Sequence, residues 1–191
     1  MNPFEFIILF FSFIYTLALT HLLFAATRMV RHRRQLVLSW PHLLWMLVAL
    51  GNLAANWISL WDFRSEGTLS LGTIAIGFLL VIINYALCAL VSPDFEGGET
   101  YDLKRFHECE GPTYIAAMLA LVLASIAVNF LAGAALDIAN WADENSVVIA
   151  NLVPLGLALA VKRPWAQLLA PIALLATVIA YAVIYYPALT A

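Results

Sequence analysis

The stretch HLLWMLVALGNLAANWISLWDF, residues 42–63, decides the fold class because it is largely apolar yet contains an imidazole and two carboxamides. His42 stands near one end, and Asn52 and Asn56 lie four residues apart farther along. The hydrocarbon core of a bilayer is crossed by about 20 consecutive apolar residues in helical form. The stretch therefore predicts a transmembrane helix whose polar groups need partners on other helices, because lipid offers an amide no hydrogen bond.

The composition places the whole chain in the membrane class. Its 191 residues are 64% hydrophobic and 11% charged, and the mean hydropathy is +0.92, whereas soluble domains are about 45–50% apolar. The net charge is -3, and no basic run is interleaved with aromatic residues, so nucleic acid is not expected as a partner. Without a linker or low-complexity tract, residues 1–191 are predicted to form a single integral-membrane helical domain.

Six stretches are long and apolar enough, or nearly so, to cross a bilayer. They are residues 4–27, 38–61, 69–92, 113–136, 146–161 and 164–186. The fifth is the weakest, because Pro154 and Gly156 interrupt it and its length corresponds to about 24 Å of helix. The sequence predicts an all-α polytopic transmembrane helix bundle of six spans, in which the fifth is either a regular span or a broken helix.

The distribution of basic residues predicts the orientation of these spans. Eight of the nine lysines and arginines lie in alternate loops, after the first, third and fifth spans. They are Arg28, Arg31, Arg33, Arg34, Lys104, Arg105, Lys162 and Arg163. Because cytoplasmic loops collect Lys and Arg, both termini are expected on the non-cytoplasmic side. We expect a multi-pass protein of a bacterial inner membrane, with an acidic outer face.

The second span carries a polar stripe with two interpretations. Its members recur every three or four residues, which places them on one helical face. They are His42, Trp45, Ala49, Asn52, Asn56 and Ser59, with Asn129 and Asn151 as candidate partners on later spans. The stripe either joins helices through hydrogen bonds of about 0.6–2 kcal/mol each, or lines a vestibule for a small polar or cationic ligand.

A second polar cluster is predicted in the inner half of the bundle. His21, His42, Asn84 and Tyr85 lie at similar depths on three spans, as counted from their cytoplasmic ends. Three hypotheses stay open: hydrogen-bonded structural histidines, a proton-sensitive or ligand-binding site, and a b-type haem held by His21 and His42.

The predicted inner loop, SPDFEGGETYDLKRFHECEGP, covers residues 92–112. Leu103 and Phe106 share a helical face, which favours a short turn lying on the membrane surface. The segment HECE, residues 107–110, brings His and Cys together, but adjacent residues rarely converge on one ion and no second ligand pair completes a tetrahedron. We therefore expect a solvated charged loop and no metal site.

The motifs favour a binding protein over an enzyme or a pump. The sequence contains no phosphate-binding Gly-rich loop and none of the common hydrolase motifs. No Asp, Glu, Lys or Arg approaches the predicted bilayer midplane, which disfavours ion-coupled transport. We expect a non-enzymatic protein that binds a small polar or cationic ligand, a partner membrane protein or a second copy of itself. A passive channel or facilitative transporter is the alternative, and a haem protein comes third.

Overall fold

The computed structural model describes residues 3–61, 71–95, 101–133, 141–143 and 145–185, and these ranges are mainly helical. The helices are α1 Pro3–Arg31, α2 Trp40–Ser59, α3 Leu71–Val91, α4 Leu103–Gly133, α5 Ser146–Ala150, α6 Leu152–Ala160 and α7 Pro164–Tyr185. Two short strands, β1 Leu36–Val37 and β2 Tyr101–Asp102, pair in parallel between the helices. The predicted all-α class is confirmed.

Five of these helices are long and apolar enough to cross a membrane. They are α1, α2, α3, α4 and α7. The apolar segment Ser146–Ala160, formed by α5 and α6, is shorter. Many large apolar side chains of the long helices are exposed, including Phe6, Phe13 and Ile179. In water such surfaces would be costly, so the architecture is compatible with a multi-pass membrane protein.

Helix α4 begins ten residues before the predicted start of the fourth span. The prediction treated the Gly111–Pro112 pair as a helix boundary, whereas the helix continues through Pro112. Proline removes the N–H that would bond the carbonyl four residues earlier, and its ring crowds that carbonyl. Here the carbonyl belongs to Glu108, an exposed residue. The first turn is capped by Asp102, whose Oδ1 accepts from the N–H groups of Lys104 at 2.9 Å and Arg105 at 3.0 Å.

The early start of α4 corrects two predictions for the inner loop. Leu103 is only 1% exposed, so it belongs to the core and does not lie on the membrane surface. Residues 107–110 form helical turns instead of a solvated loop. The side chain of His107 is buried, while Glu108 and Cys109 are exposed.

The short apolar segment 146–160 is a broken helix. The break lies at Asn151, whose N–H bonds the carbonyl of Val148 at 3.2 Å, one residue closer than in an α-helix. Pro154 stands in the first turn of α6, where its missing N–H is tolerated. Pro154 cannot donate to the carbonyl four residues earlier, and its ring crowds that carbonyl, which belongs to Ala150, the last residue of α5. This accounts for the break between α5 and α6.

The three basic loops meet at one end of the bundle, which we call the basic end. Strand pairing aligns Leu36 with Tyr101 and so joins the first loop to the second. The guanidinium of Arg28 also donates to the carbonyl of Phe95 at 2.9 Å. Gln167, at the start of α7, bonds His107 near the start of α4 and so brings the third loop to the same end.

Small residues allow close helix packing at two contacts. A Cβ on Gly77 of α3 would lie 3.1 Å from the ring of Phe11 on α1, and one on Gly51 of α2 would lie 3.3 Å from Val178 on α7. Such approaches are typical of membrane helices, where small residues let backbones come together. The pairs α1–α3 and α2–α7 thus flank a core to which α4 contributes Tyr114 and Met118.

Candidate functional site: a buried polar cluster at the basic end

Three side chains from α4 and α7 form a connected hydrogen-bond network, which we call the histidine network. His107 Nδ1 bonds the hydroxyl of Tyr114, and His107 Nε2 bonds Oε1 of Gln167 at 3.1 Å. Residues 107 and 114 are two turns apart on one face of α4, and a tyrosine in a helix leans toward the helix N-terminus, which brings its hydroxyl to the imidazole. Gly111 lies between them, and a Cβ there would be 3.3 Å from His107 Nδ1.

The network fixes the direction of each hydrogen bond. The side-chain nitrogen of Gln167 donates to the carbonyls of Ala158 at 2.7 Å and Val161 at 2.9 Å, so its oxygen faces His107. An amide oxygen only accepts, hence His107 Nε2 carries the proton. In a neutral imidazole Nδ1 then accepts, and the hydroxyl of Tyr114 donates to it.

Gln167 also provides hydrogen-bond donors for the carbonyl groups at the end of the broken helix. The last carbonyls of a helix have no partner within it, and the carbonyl groups of Ala158 and Val161 stand at the end of α6. By bonding both, Gln167 ties α6 to α7, and through His107 it ties both to α4. One side chain therefore joins three helices at the basic end.

Next to this network lies the His42 site, formed by His42, Trp45, Phe106 and Tyr114. The ring of His42 packs edge-on to Phe106 at 5.1 Å and to Tyr114 at 6.1 Å between centroids. The ring of Trp45 lies 6.1 Å from that of Tyr114. His42 is 0% exposed and Trp45 is 1% exposed. Aromatic side chains thus surround a fully buried imidazole.

The His42 site contains polar atoms that bond nothing in the described part of the chain. Both ring nitrogens of His42 and the indole nitrogen of Trp45 are buried without a hydrogen-bond partner there. Buried polar groups in native proteins are nearly always bonded, and each exception needs an explanation. An unmade bond of this kind costs about 1–3 kcal/mol.

Asn84 shows the same feature on the neighbouring helix. It is 1% exposed, and neither its amide nitrogen nor its oxygen has a partner within the described residues. It belongs to the buried face of α3 together with Val81, Leu87 and Val91, and α3 packs against α2 and α4. A deep amide with both a donor and an acceptor unmet among the described residues is therefore present on a helix that packs against the two helices of the His42 site.

The predicted inner cluster divides into two parts. His21 Nε2 lies 3.2 Å from the hydroxyl of Tyr85, and the two rings meet edge-on with centroids 5.4 Å apart. This contact joins α1 to α3, and the His21 side chain is exposed. His42 instead contacts Phe106 and Tyr114 of α4. The structure brings His21 to Tyr85 as expected, while His42 has a different set of neighbours.

The outer asparagines form separate local contacts. Asn56 Nδ2 donates to the backbone carbonyl of Asn52 at 2.9 Å, within its own helix. Asn129 donates to Oδ1 of Asn145 at 2.6 Å. The carboxamide oxygen of Asn151 accepts from Thr177 at 2.8 Å. The proposed partners Asn129 and Asn151 thus bond other residues, although Asn52 Nδ2 is buried without a partner among the described residues.

The structure describes two of the six acidic residues that make up the predicted acidic outer face. Asp143 is exposed, and Glu5 is exposed at the start of α1. The remaining members, Asp62, Glu66, Asp137 and Glu144, lie outside the described residues.

Sequence reasoning missed His107, Tyr114 and Gln167 as a unit. The available signal was the seven-residue spacing of His107 and Tyr114, which only matters once α4 is known to begin before the Gly111–Pro112 pair. Gln167 lies four residues after Arg163, the second residue of the last basic pair, and nothing in the spacing of residues connects it with α4.

Within the described ranges, no group of three or more His, Cys, Asp or Glu side chains is placed to hold a metal ion. Comparison of the chain with protein-family models, curated proteins and solved structures finds no match among them. The function is therefore inferred from the geometry of the polar cluster itself.

Proposed function

We propose that this protein is a non-enzymatic, multi-pass membrane protein that binds a small polar ligand between its helices at the basic end. The observation that carries the proposal is the set of buried, unpartnered polar atoms on His42, Trp45 and Asn84. Removing such atoms from water without a bond is unfavourable, so their retention in an apolar core is explained if another molecule bonds them.

The chemistry of these atoms narrows the class of ligand. The indole of Trp45 only donates, while the amide of Asn84 and the imidazole of His42 can donate and accept. The rings that contact His42 and Trp45 are those of Phe106 and Tyr114, which carry no charge. The groups favour a neutral ligand with both donors and acceptors over the cationic ligand that the acidic outer face would suit.

The proposal includes the topology expected from the sequence. Six spans, with both termini on the non-cytoplasmic side of a bacterial inner membrane, agree with three features of the chain. The basic loops meet at one end, Asn145 at the start of α5 bonds Asn129 far along α4, and the end of α6 returns to His107 through Gln167. Segment 146–160 then runs antiparallel to α4, as expected if it crosses the membrane in addition to the five long helices.

The experiment is a thermal-shift screen of neutral polar and cationic metabolites on the purified protein in mild detergent. A ligand that binds the native state raises the midpoint of unfolding. Compounds that stabilise the wild type are tested again on His42→Phe and Asn84→Leu, which keep the approximate shape but remove the polar atoms. We expect both variants to lose the stabilisation.

Asn56→Leu provides a matched control because Asn56 bonds only its own helix backbone. The control should retain the ligand-induced shift. Hits that survive unchanged in His42→Phe and Asn84→Leu would reject this site, and hits lost only in an Asn52→Ala variant would move binding to the predicted vestibule. An empty screen would reject small-ligand binding, and co-purification in mild detergent would then test the alternative of a partner membrane protein or a second copy.

Two further hypotheses have direct tests. A passive channel or facilitative transporter would release a trapped polar solute from liposomes, and Asn84→Leu would slow that release. A b-type haem held by His21 and His42 would give the purified protein a Soret absorbance band that either single substitution removes. A colourless, functional protein would reject the haem hypothesis.

A further inference from the structure

An open cleft of about 350 Å³ lies at the basic end and is lined by residues 31–35. These residues are the last residue of α1 and the turn that follows it. They comprise three arginines, one histidine and one glutamine, and the arginines Arg31, Arg33 and Arg34 are all exposed. A concave surface that presents several guanidinium groups is suited to a phosphate, because the planar fork of arginine matches two phosphate oxygens.

Two of the three arginines have no competing contact in the described part of the chain. Arg33 donates to the carbonyl of Val30 at 3.3 Å, whereas Arg31 and Arg34 make neither a hydrogen bond nor an ion pair with another described residue. The nearby Arg28 is engaged with the carbonyl of Phe95 and with the ring of Phe24, 4.3 Å from its centroid. Arg31 and Arg34 are therefore the cations available to a ligand.

The turn that shapes the cleft is held in place from both sides. The N–H of Gln35 donates to the carbonyl of His32 at 2.8 Å, and the carbonyl of Gln35 accepts from the N–H of Tyr101 at 2.9 Å. The ring of His32 stacks on Phe95 at 6.3 Å and meets Tyr101 edge-on at 5.5 Å. A ligand would meet a preformed site, which lowers the entropic cost of binding.

The residues that follow the cleft indicate the source of the phosphate. Val37, Leu38 and Trp40 are exposed, Trp40 to 70%. Tryptophan at a helix end is typical of the boundary between acyl chains and headgroups. The cleft thus opens directly beside an exposed apolar strip, an arrangement that fits a molecule with a phosphate at one end and an acyl chain at the other.

We propose that residues 31–35 bind the headgroup phosphate of an anionic phospholipid, with Arg31 and Arg34 as the principal contacts. Clusters of basic residues next to a membrane helix attract such lipids. The proposal depends on the membrane location of the chain and is independent of the ligand at the His42 site, so either one can fail alone.

The test measures lipid binding to the purified protein by native mass spectrometry, with phosphatidylglycerol and phosphatidylcholine as the probes. Wild-type protein should bind phosphatidylglycerol more tightly. The Arg31→Gln/Arg34→Gln variant should bind it about 25-fold more weakly, since each cation near a membrane surface contributes about fivefold, while binding of phosphatidylcholine should not change. Lys104→Gln/Arg105→Gln removes two exposed charges at the same end that do not line the cleft, and it should weaken the binding of phosphatidylglycerol less than the cleft variant does.

Two outcomes would overturn the proposal. Equal losses in both double variants would show a general effect of charge, with no role for the cleft.

A second experiment distinguishes a lipid headgroup from free phosphate as the ligand. It uses a Leu38→Gln/Trp40→Gln variant and inorganic phosphate as competitor. Lipid binding should weaken in this variant, and phosphate should compete poorly. Effective competition by phosphate together with unchanged lipid binding in the variant would identify a free anion as the ligand.

Discussion

The polar side chains at the basic end are organised differently from those in the opposite half of the bundle. At the basic end, His107, Tyr114 and Gln167 connect α4, α6 and α7, with unpartnered atoms of His42 beside them. In the opposite half, Asn129 bonds Asn145, Asn151 bonds Thr177, and Asn56 bonds its own helix. Buried polar atoms without a partner among the described residues occur there as well, on Asn52 and Trp141. The two halves differ because the contacts of the opposite half are separate pairs, whereas those at the basic end form one connected network, which is better suited to hold a site in shape.

The largest expected effect comes from replacing Gln167 with Leu. The substitution removes three hydrogen bonds and leaves the carbonyls of Ala158 and Val161 without a partner at the end of α6. At about 1 kcal/mol for each bond, the free energy of unfolding should fall by about 3 kcal/mol. Reversible unfolding in mixed micelles measures the change, and Gln35→Leu, at an exposed position, is the matched control. An equal loss in both variants would contradict the importance of the network.

Replacing Tyr114 with Phe tests the other end of the histidine network. The ring stays, so contacts with His42 and Trp45 persist, but the hydroxyl that donates to His107 is lost. We expect a decrease of about 1–2 kcal/mol in the free energy of unfolding. Tyr85→Phe, which loses only the bond to the exposed His21, should cost less than about 0.5 kcal/mol. A larger loss of stability in Tyr85→Phe than in Tyr114→Phe would show that the contact between α1 and α3 is the more important one.

Replacing Asn129, in the opposite half, should have a smaller effect on stability and no effect on ligand binding. Asn129→Ala removes the bond to Asn145 and should lower the free energy of unfolding by about 0.6–1.7 kcal/mol, the range for hydrogen bonds between membrane helices. Thermal unfolding with and without a ligand from the screen separates the two properties. Loss of the ligand-induced shift in this variant would make the two halves functionally alike.

The smallest effect is expected for Asn56→Leu. Because Asn56 Nδ2 bonds only the carbonyl of Asn52, which already belongs to a helix, the free energy of unfolding should change by less than about 0.5 kcal/mol. The same unfolding assay measures this change. A loss above about 1 kcal/mol would instead support the predicted polar stripe as an important contact between helices.

Much of the fold could be predicted from hydropathy alone. Expected spans 38–61 and 69–92 agree with α2 Trp40–Ser59 and α3 Leu71–Val91 within a few residues, because long apolar runs with few charges leave little choice of structure. The start of α4 was wrong because the Gly111–Pro112 pair resembles a helix boundary. A proline can stay inside a helix where the freed carbonyl has other partners, and this depends on the surroundings, not on local sequence.

The sequence predicted the residues of the candidate site on α2 but not their neighbours on other helices. Spacing along α2 places His42, Trp45 and Ala49 on one face, and the structure buries that face. Spacing cannot show which helices are neighbours, so Asn129 was expected near Asn52 but bonds Asn145. For the same reason the sequence offered no link between His107 and Gln167, which are 60 residues apart.

The measurement that tests the central claim most directly is the stability of ligand-free His42→Phe. If His42 is retained for binding, its two unpartnered nitrogens cost stability in the empty protein, and a ring without them should be better tolerated. We expect equilibrium unfolding of the ligand-free variant to show a gain of about 1–2 kcal/mol over the wild type, with no stabilisation by a wild-type ligand. A ligand-free variant less stable than the wild type would show that His42 has a structural role and would contradict the claim.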